Sequence, residues 1–236
     1  MRRIYFDNAA TTALDPEVLD AMMPYLTEKF GNPSSIYSYG RETKLAIESA
    51  RKTVAKILGC NPGEIFFTSG GTESSNTAIR AAVHDLGCTH IITSPLEHHA
   101  TLHTVEHLAE KDGVRLSFLE LMPGGHIDLS HLEALLANAP GKTLVTLMHA
   151  NNEIGNLLKI KAAGELCEKY GAVFHSDMVQ TIGHYPVDLR HLHLHFASAA
   201  GHKFHGPKGV GILYVNENIS IHPFISGGAQ ERNMRA

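Results

Sequence analysis

The sequence predicts an α/β protein of three layers, a mostly parallel sheet covered on both faces by helices. Three observations lead there. Short apolar runs alternate with amphipathic stretches of helical period along most of the 236 residues, which is the pattern of repeated βα units. The glycine-rich segment Ser69-Gly70-Gly71-Thr72 joins one such run to a helical stretch, as a tight βα turn does. Polar residues gather just after the apolar runs, where an open parallel sheet binds its ligands.

The elements follow in order. Asp15-Pro16 reads as an N-cap with proline at the first helical position, opening a helix toward Phe30-Gly31 that Pro24 kinks or shortens. A loop, Gly31-Asn32-Pro33-Ser34-Ser35, precedes an amphipathic helix over 41–58 that Gly59 closes. Strands are expected at 64–68, 90–94, 114–119, 143–148, 172–175, 192–198 and 211–215. Helices are expected from Gly71 to near Gly87 and over 97–111, 129–137 and 159–170.

Composition narrows the function. With 43% hydrophobic and 19% charged residues and a net charge of -4, the chain has material for a sizeable core. It carries no basic block, which argues against nucleic acid or an anionic membrane as partner. No run approaches the ~18 apolar residues of a membrane span. The start has a positive pair with no apolar stretch behind it, so no signal peptide is expected and the cytoplasm is the expected location. Three widely spaced cysteines, Cys60, Cys88 and Cys167, suit reduced thiols better than disulfides or a zinc site.

Five loops converge on one sheet edge. They offer Thr72, then His98, then Asn151-Asn152-Glu153, then Asp177 with Gln180, and finally His202-Lys203. Lys203 falls between a strand end and the turn His205-Gly206-Pro207, where glycine lets another group approach the backbone; that is a placement for a Schiff-base lysine. The turn at Gly71 and Thr72 presents backbone N–H groups and a positive helix end to an anion such as phosphate, although it is neither a P-loop nor G-x-G-x-x-G. Beside a lysine nucleophile, a carboxylate such as Asp177 keeps a pyridine nitrogen protonated, and the Gln180 amide and the His98 ring suit the ring's oxygen and face. Among 17 histidines, His191, His193 and His195 alternate, so a strand would align them on one face with His202 and His205 nearby. No metal is expected there, because nothing specifies carboxylate partners.

These residues spell out motifs. Tyr5-Phe6-Asp7-Asn8-Ala9-Ala10-Thr11-Thr12, Gly31-Asn32-Pro33-Ser34-Ser35, Thr68-Ser69-Gly70-Gly71-Thr72-Glu73, Glu97-His98-His99-Ala100, Asn151-Asn152-Glu153-Ile154-Gly155 and Gly201-His202-Lys203-Phe204-His205-Gly206-Pro207-Lys208-Gly209 resemble, in order along the whole chain, the NifS/IscS-type cysteine desulfurases. These are class V aminotransferase-like enzymes of fold-type I that use pyridoxal 5'-phosphate. The resemblance implies that Lys203 holds the cofactor and that His98 stacks on its ring. It implies that Asp177 pairs with the ring nitrogen, that Gln180 and Asn152 bond near the phenolate oxygen and the substrate, and that Gly71, Thr72 and His202 belong to the cofactor site, the last two binding phosphate. It also implies an L-cysteine substrate, release of alanine, a homodimer, and an iron–sulfur scaffold or other protein as sulfur acceptor.

Two departures qualify this reading. Ala200 stands where the family usually has a phosphate-binding serine, which removes one charge-assisted hydrogen bond worth ~1.5–3 kcal/mol. The sequence also ends at Met234-Arg235-Ala236, inside a motif that in the family continues Gly-Thr. The persulfide-forming cysteine and the substrate-carboxylate arginine of the family lie further on, and Cys60, Cys88 and Cys167 match none of the persulfide motif. The expectation is a cofactor domain over 16–236 and an arm over 1–15 that belongs to an absent small domain, the chain by itself not turning over cysteine. Two alternatives stay open: a selenocysteine lyase or other class V lyase, and a cofactor-free relic that serves as an assembly partner.

Overall fold

The computed structural model describes residues 3–235. Helix α1 (Pro16–Thr27) begins where Asp15 accepts the Glu17 N–H at 2.8 Å, and it contains Pro24. Helix α2 (Ser38–Leu58) starts three residues earlier than its periodicity predicts and ends at Gly59, whose φ of 65° is the left-handed cap that glycine adopts without penalty. Then follow β1 (Ile65–Thr68), α3 (Gly71–His84), β2 (His90–Thr93), α4 (His99–Asp112), β3 (Arg115–Phe118), a small hairpin of β4 (Leu121–Met122) and β5 (His126–Ile127), α5 (Leu129–Ala137), β6 (Thr143–Thr146), α6 (Ile160–Lys169), β7 (Val173–Asp177), β8 (Phe196–Ala200) and β9 (Gly211–Val215).

Seven strands form one sheet in the order β1-β9-β8-β7-β6-β2-β3. Strand β9 runs antiparallel to both neighbours, and the remaining pairings are parallel. Adjacent residues of each strand face opposite layers. Ile91, Leu144, Val173 and Phe196 meet Ala78 and Ile79 of α3 and Val105 and Leu108 of α4. Ile92, Val145, Phe174 and Ala197 meet Ala55 and Leu58 of α2, Leu132 and Leu136 of α5, and Ala163 and Cys167 of α6. The three-layer expectation therefore holds, with β7 at the centre of the sheet.

Two expectations change. The run 192–198 does not start as a strand. Asp188 caps a 3-10 turn, Leu189–His191, the Leu192 carbonyl packs so close to α6 that a Cβ on Gly164 would lie 2.1 Å from its oxygen, and His193 takes φ 52°. The three alternating histidines consequently share no face: His193 pairs with Glu168 at 3.0 Å, whereas His195 Nδ1 accepts the Phe174 N–H at 3.1 Å. The hairpin β4–β5 was not anticipated, although Gly124 and Gly125, at φ 84° and 77°, mark its turn.

Arg51, in α2, is completely buried. Its guanidinium donates to the two oxygens of Glu231 at 2.9 and 2.8 Å and to the Ile65 carbonyl at 2.7 Å, and Glu231 also accepts the Phe67 N–H at 2.9 Å. This pair fastens the segment after β9 across β1. Without Glu231 the buried guanidinium keeps one carboxylate, the partly exposed Glu48 at 3.1 Å, so Glu231→Ala is expected to destabilise the protein by about 3 kcal/mol in urea unfolding.

Candidate active site

The strands β2, β6, β7 and β8 run parallel, so their carboxyl ends share one edge, and there a cavity of about 520 Å³ opens. Gly71, Thr72, His98, Asn152, Glu153, Asp177, Gln180, His202 and Lys203 line it, whereas Asn151 turns away and donates to the Leu96 carbonyl. Its volume suits a small organic ligand.

Asp177 ends the central strand, and the Val179 N–H donates to its Oδ1 at 2.9 Å. Burial raises its pKa, while that N–H and the Lys203 charge act in the opposite sense. Lys203 closes the 3-10 turn Gly201–Lys203 directly after β8. Burial lowers its pKa, against the pull of Asp177 and Asp7. His202 is likewise lowered, by burial and by Lys203 and Lys208, and its Nδ1 meets the Thr11 hydroxyl at 3.1 Å. His98 is the N-cap of α4: its Nδ1 accepts the Ala100 N–H at 3.1 Å, which orients an otherwise exposed ring and puts its own proton on Nε2.

Gly71 and Thr72 open α3, where the first N–H groups have no helical carbonyl to bond and the helix end favours an anion. A Cβ on Gly71 would sit 2.7 Å from Val179 Cγ2, so glycine keeps this floor open. The Ala200 methyl also lines the cavity. Asn152 donates to Glu153 at 2.8 Å, and Gln180 donates to the Ala9 carbonyl at 2.8 Å. Each amide keeps a second N–H for a ligand.

Sequence reasoning missed the contribution of the amino-terminal segment. Lys203 Nζ donates to the carbonyls of Ala9 and Ala10, the second at 2.9 Å, and Asp7, Ala9 and Ala10 line the cavity. Thr12 holds the segment down: its N–H donates to the His202 carbonyl at 2.8 Å and its hydroxyl accepts the His205 N–H at 2.7 Å. Backbone carbonyls leave no trace in residue chemistry, so only the motif Asn8-Ala9-Ala10-Thr11 hinted at them. Met148 also lines the site.

A larger hollow of about 830 Å³ lies at the opposite edge of the sheet. It mixes Glu64, Glu168 and Glu217 with Lys56 and Arg190 around Cys60. Opposed charges around an inert thiol define no reaction, whereas the smaller cavity unites a depressed lysine, a buried acid and an anion-binding turn.

A three-layer α/β/α protein with a lysine, an aspartate and a helix amino terminus converging at the sheet edge has the architecture of the pyridoxal-phosphate-dependent transferases. Residues 4–235 match the family described as aminotransferase class-V, and the chain belongs to that family. A cysteine desulfurase IscS of Dictyoglomus turgidum is 48% identical to it over 237 residues, covering 100% of this chain and 59% of the relative. A solved NifS-like protein superimposes with a TM-score of 0.95 at 41% identity over 100% of this chain and 65% of its own. The structure of SspA in complex with cysteine gives 0.93 at 35% identity, over 99% and 67%. The chain thus spans about three fifths of the length of the curated relatives it matches.

The three thiols stand apart from this cavity. Burial pushes Cys60 and Cys167 up to about 12 and Cys88 up to about 11. Thiolate is the reactive form, so iodoacetamide at pH 8 is expected to label the folded protein at least about a hundredfold more slowly than free cysteine, with labelling accelerating only as pH approaches those values; mass spectrometry reads the result.

Proposed function

We propose that this chain is the cofactor-binding part of a cysteine desulfurase that uses pyridoxal phosphate to convert L-cysteine to L-alanine and a protein-bound persulfide. The observation that carries the reading is the meeting of Lys203, Asp177 and the opening turn of α3 in one cavity, with the exposed ring of His98 at its side. The residues fit that cofactor: Gly71 keeps a cradle that a methyl group would fill, and Asp177 is a buried carboxylate suited to a protonated pyridine nitrogen.

Each residue has a definite task. Thr72 and His202 would bind the phosphate, Gly71 would leave room for the cofactor, and the α3 dipole would support the phosphate charge. His98 covers one ring face and excludes water. Gln180 and Asn152 donate to the phenolate side and to the substrate. The bound ring would take up the electron pair released at the substrate α-carbon. Lys203 Nζ would hold the cofactor covalently and would be placed to take the substrate α-proton; its lowered pKa favours the neutral amine that this requires.

The sulfur must pass to a thiol other than Cys60, Cys88 and Cys167, none of which lines the cavity. The reading therefore assigns residues 16–236 to the cofactor domain and 1–15 to the arm of a smaller domain that bears the accepting cysteine. It extends to a cytoplasmic homodimer that hands sulfur to an iron–sulfur scaffold. Exposed Phe30, Ile36, Tyr37 and Tyr39, clustered in sequence beside the 31–35 loop, support association with a second copy. Among the described residues no helix is long and apolar enough to cross a membrane.

Borohydride reduction after incubation with pyridoxal phosphate should fix the cofactor on the peptide containing Lys203. The Lys203→Ala variant should lose the visible absorption of the covalently held cofactor; an unchanged spectrum overturns the assignment. Ala200→Ser restores a hydroxyl beside Gly71 and is expected to tighten cofactor binding about tenfold or more in equilibrium titration.

A further inference from the structure

Glu97, the residue before His98, is a buried acid that the proposed chemistry leaves unused. It is 6% exposed, as is Asp177. Its Oε1 accepts the Met148 N–H at 2.9 Å and the Ser94 hydroxyl at 3.1 Å, whereas its Oε2 has no hydrogen-bond partner among the described residues. The two acids are joined through consecutive residues. Met148 donates to the Glu97 side chain, and the His149 N–H donates to the Asp177 carbonyl at 2.8 Å. Met148 also lines the Lys203 cavity beside Asp177.

Two buried carboxyl groups that feel one another do not both ionise. Asp177 faces the Lys203 amine and receives the Val179 N–H. Glu97 receives no such cationic support, and the charge acting on it is that of Asp177. We propose that Glu97 is a positioning residue that carries the proton of this acid pair, so that Asp177 keeps the site's negative charge, and whose bond to Met148 ties the β2–α4 loop to the end of β6 and sets the His98 ring over the cavity. Burial and the Asp177 charge push Glu97 up to about 8, in the same sense. Protonation still lets Oε1 accept both bonds, and an uncharged Oε2 without a partner costs less in this burial than a charged one. The loop itself is fixed on its other side, where the Asn151 amide donates to the Leu96 carbonyl at 2.8 Å.

The charge assignment stands on the cavity's own groups; the positioning role rests on the functional reading above. Infrared spectra of the cofactor-free protein at neutral pH should contain the carbonyl stretch of a protonated carboxyl group. That band should vanish in Glu97→Gln and survive in Asp177→Asn. Its absence from the parent protein, or its persistence in Glu97→Gln, overturns the assignment. In the second measurement Glu97→Gln, a neutral group of similar shape, should bind pyridoxal phosphate within about threefold of the parent and keep the visible circular dichroism of the bound ring. Glu97→Ala should weaken binding about tenfold and change that dichroism. Equal losses in the two variants overturn the positioning role. Because the infrared band is read without pyridoxal phosphate, failure of every variant to bind that cofactor refutes the functional reading while the band still decides where the proton sits.

Discussion

A carboxyl group buried at the carboxyl end of the central strand is the constraint around which this molecule is arranged. Asp177 is almost wholly enclosed, and an isolated carboxylate in that position would cost several kcal/mol of desolvation. The neighbouring strand relieves this cost. Strand β8 ends three residues before Lys203, and the short turn after it brings the amine to the same cavity that Asp177 lines. The lysine is compensated in turn by the carbonyls of Ala9 and Ala10. The amino-terminal segment is therefore held to the turn 201–205 by the same electrostatics that make the site, and not by apolar burial, since residues 3–8 are exposed.

Below the site the sheet keeps its geometry through a polar layer. His175, two residues before Asp177, is completely buried; its Nδ1 meets the Thr146 hydroxyl at 2.8 Å and its Nε2 the Ser198 hydroxyl at 2.9 Å. Burial pushes its pKa down to about 3, so the ring stays neutral and bridges β6, β7 and β8 without adding a charge beside Asp177. The Thr93 hydroxyl extends the layer by donating to the Thr146 carbonyl at 3.0 Å. Satisfied in this way, the layer costs little and fixes the spacing of the strand ends that carry the site.

The fold and the cavity lining were legible because both follow from local chemistry. Strand ends in a parallel sheet share an edge, so asking which polar residue follows each apolar run sufficed to gather Thr72, His98, Asn152, Asp177, Gln180, His202 and Lys203. What stayed hidden depends on atoms that every residue has, or on tertiary contacts. The Ala9 and Ala10 carbonyls are of the first kind. The irregular path of 189–195 is of the second: alternating Leu and His imitate a strand, but Asp188 and the tight approach to Gly164 impose a turn. Glu97 looked like the first residue of a helix. It turns inward instead, and His98 becomes the cap, because the Met148 N–H offers its carboxyl a buried partner.

The same contacts hold the Lys203 amine in place. Near Asp177 and Asp7 an amine is expected to hold its proton more tightly, yet burial outweighs both acids and the net shift is downward. The carbonyls of Ala9 and Ala10 favour the ammonium form, because a charged donor makes the stronger hydrogen bond, although a neutral amine can still donate to them. They fix the position of the nitrogen, and being neutral they pull on its proton less than a further carboxylate in their place would. Placement by neutral backbone carbonyls, beside a buried acid that also accepts the Val179 N–H, holds the side chain in place while burial keeps its pKa below the ordinary value.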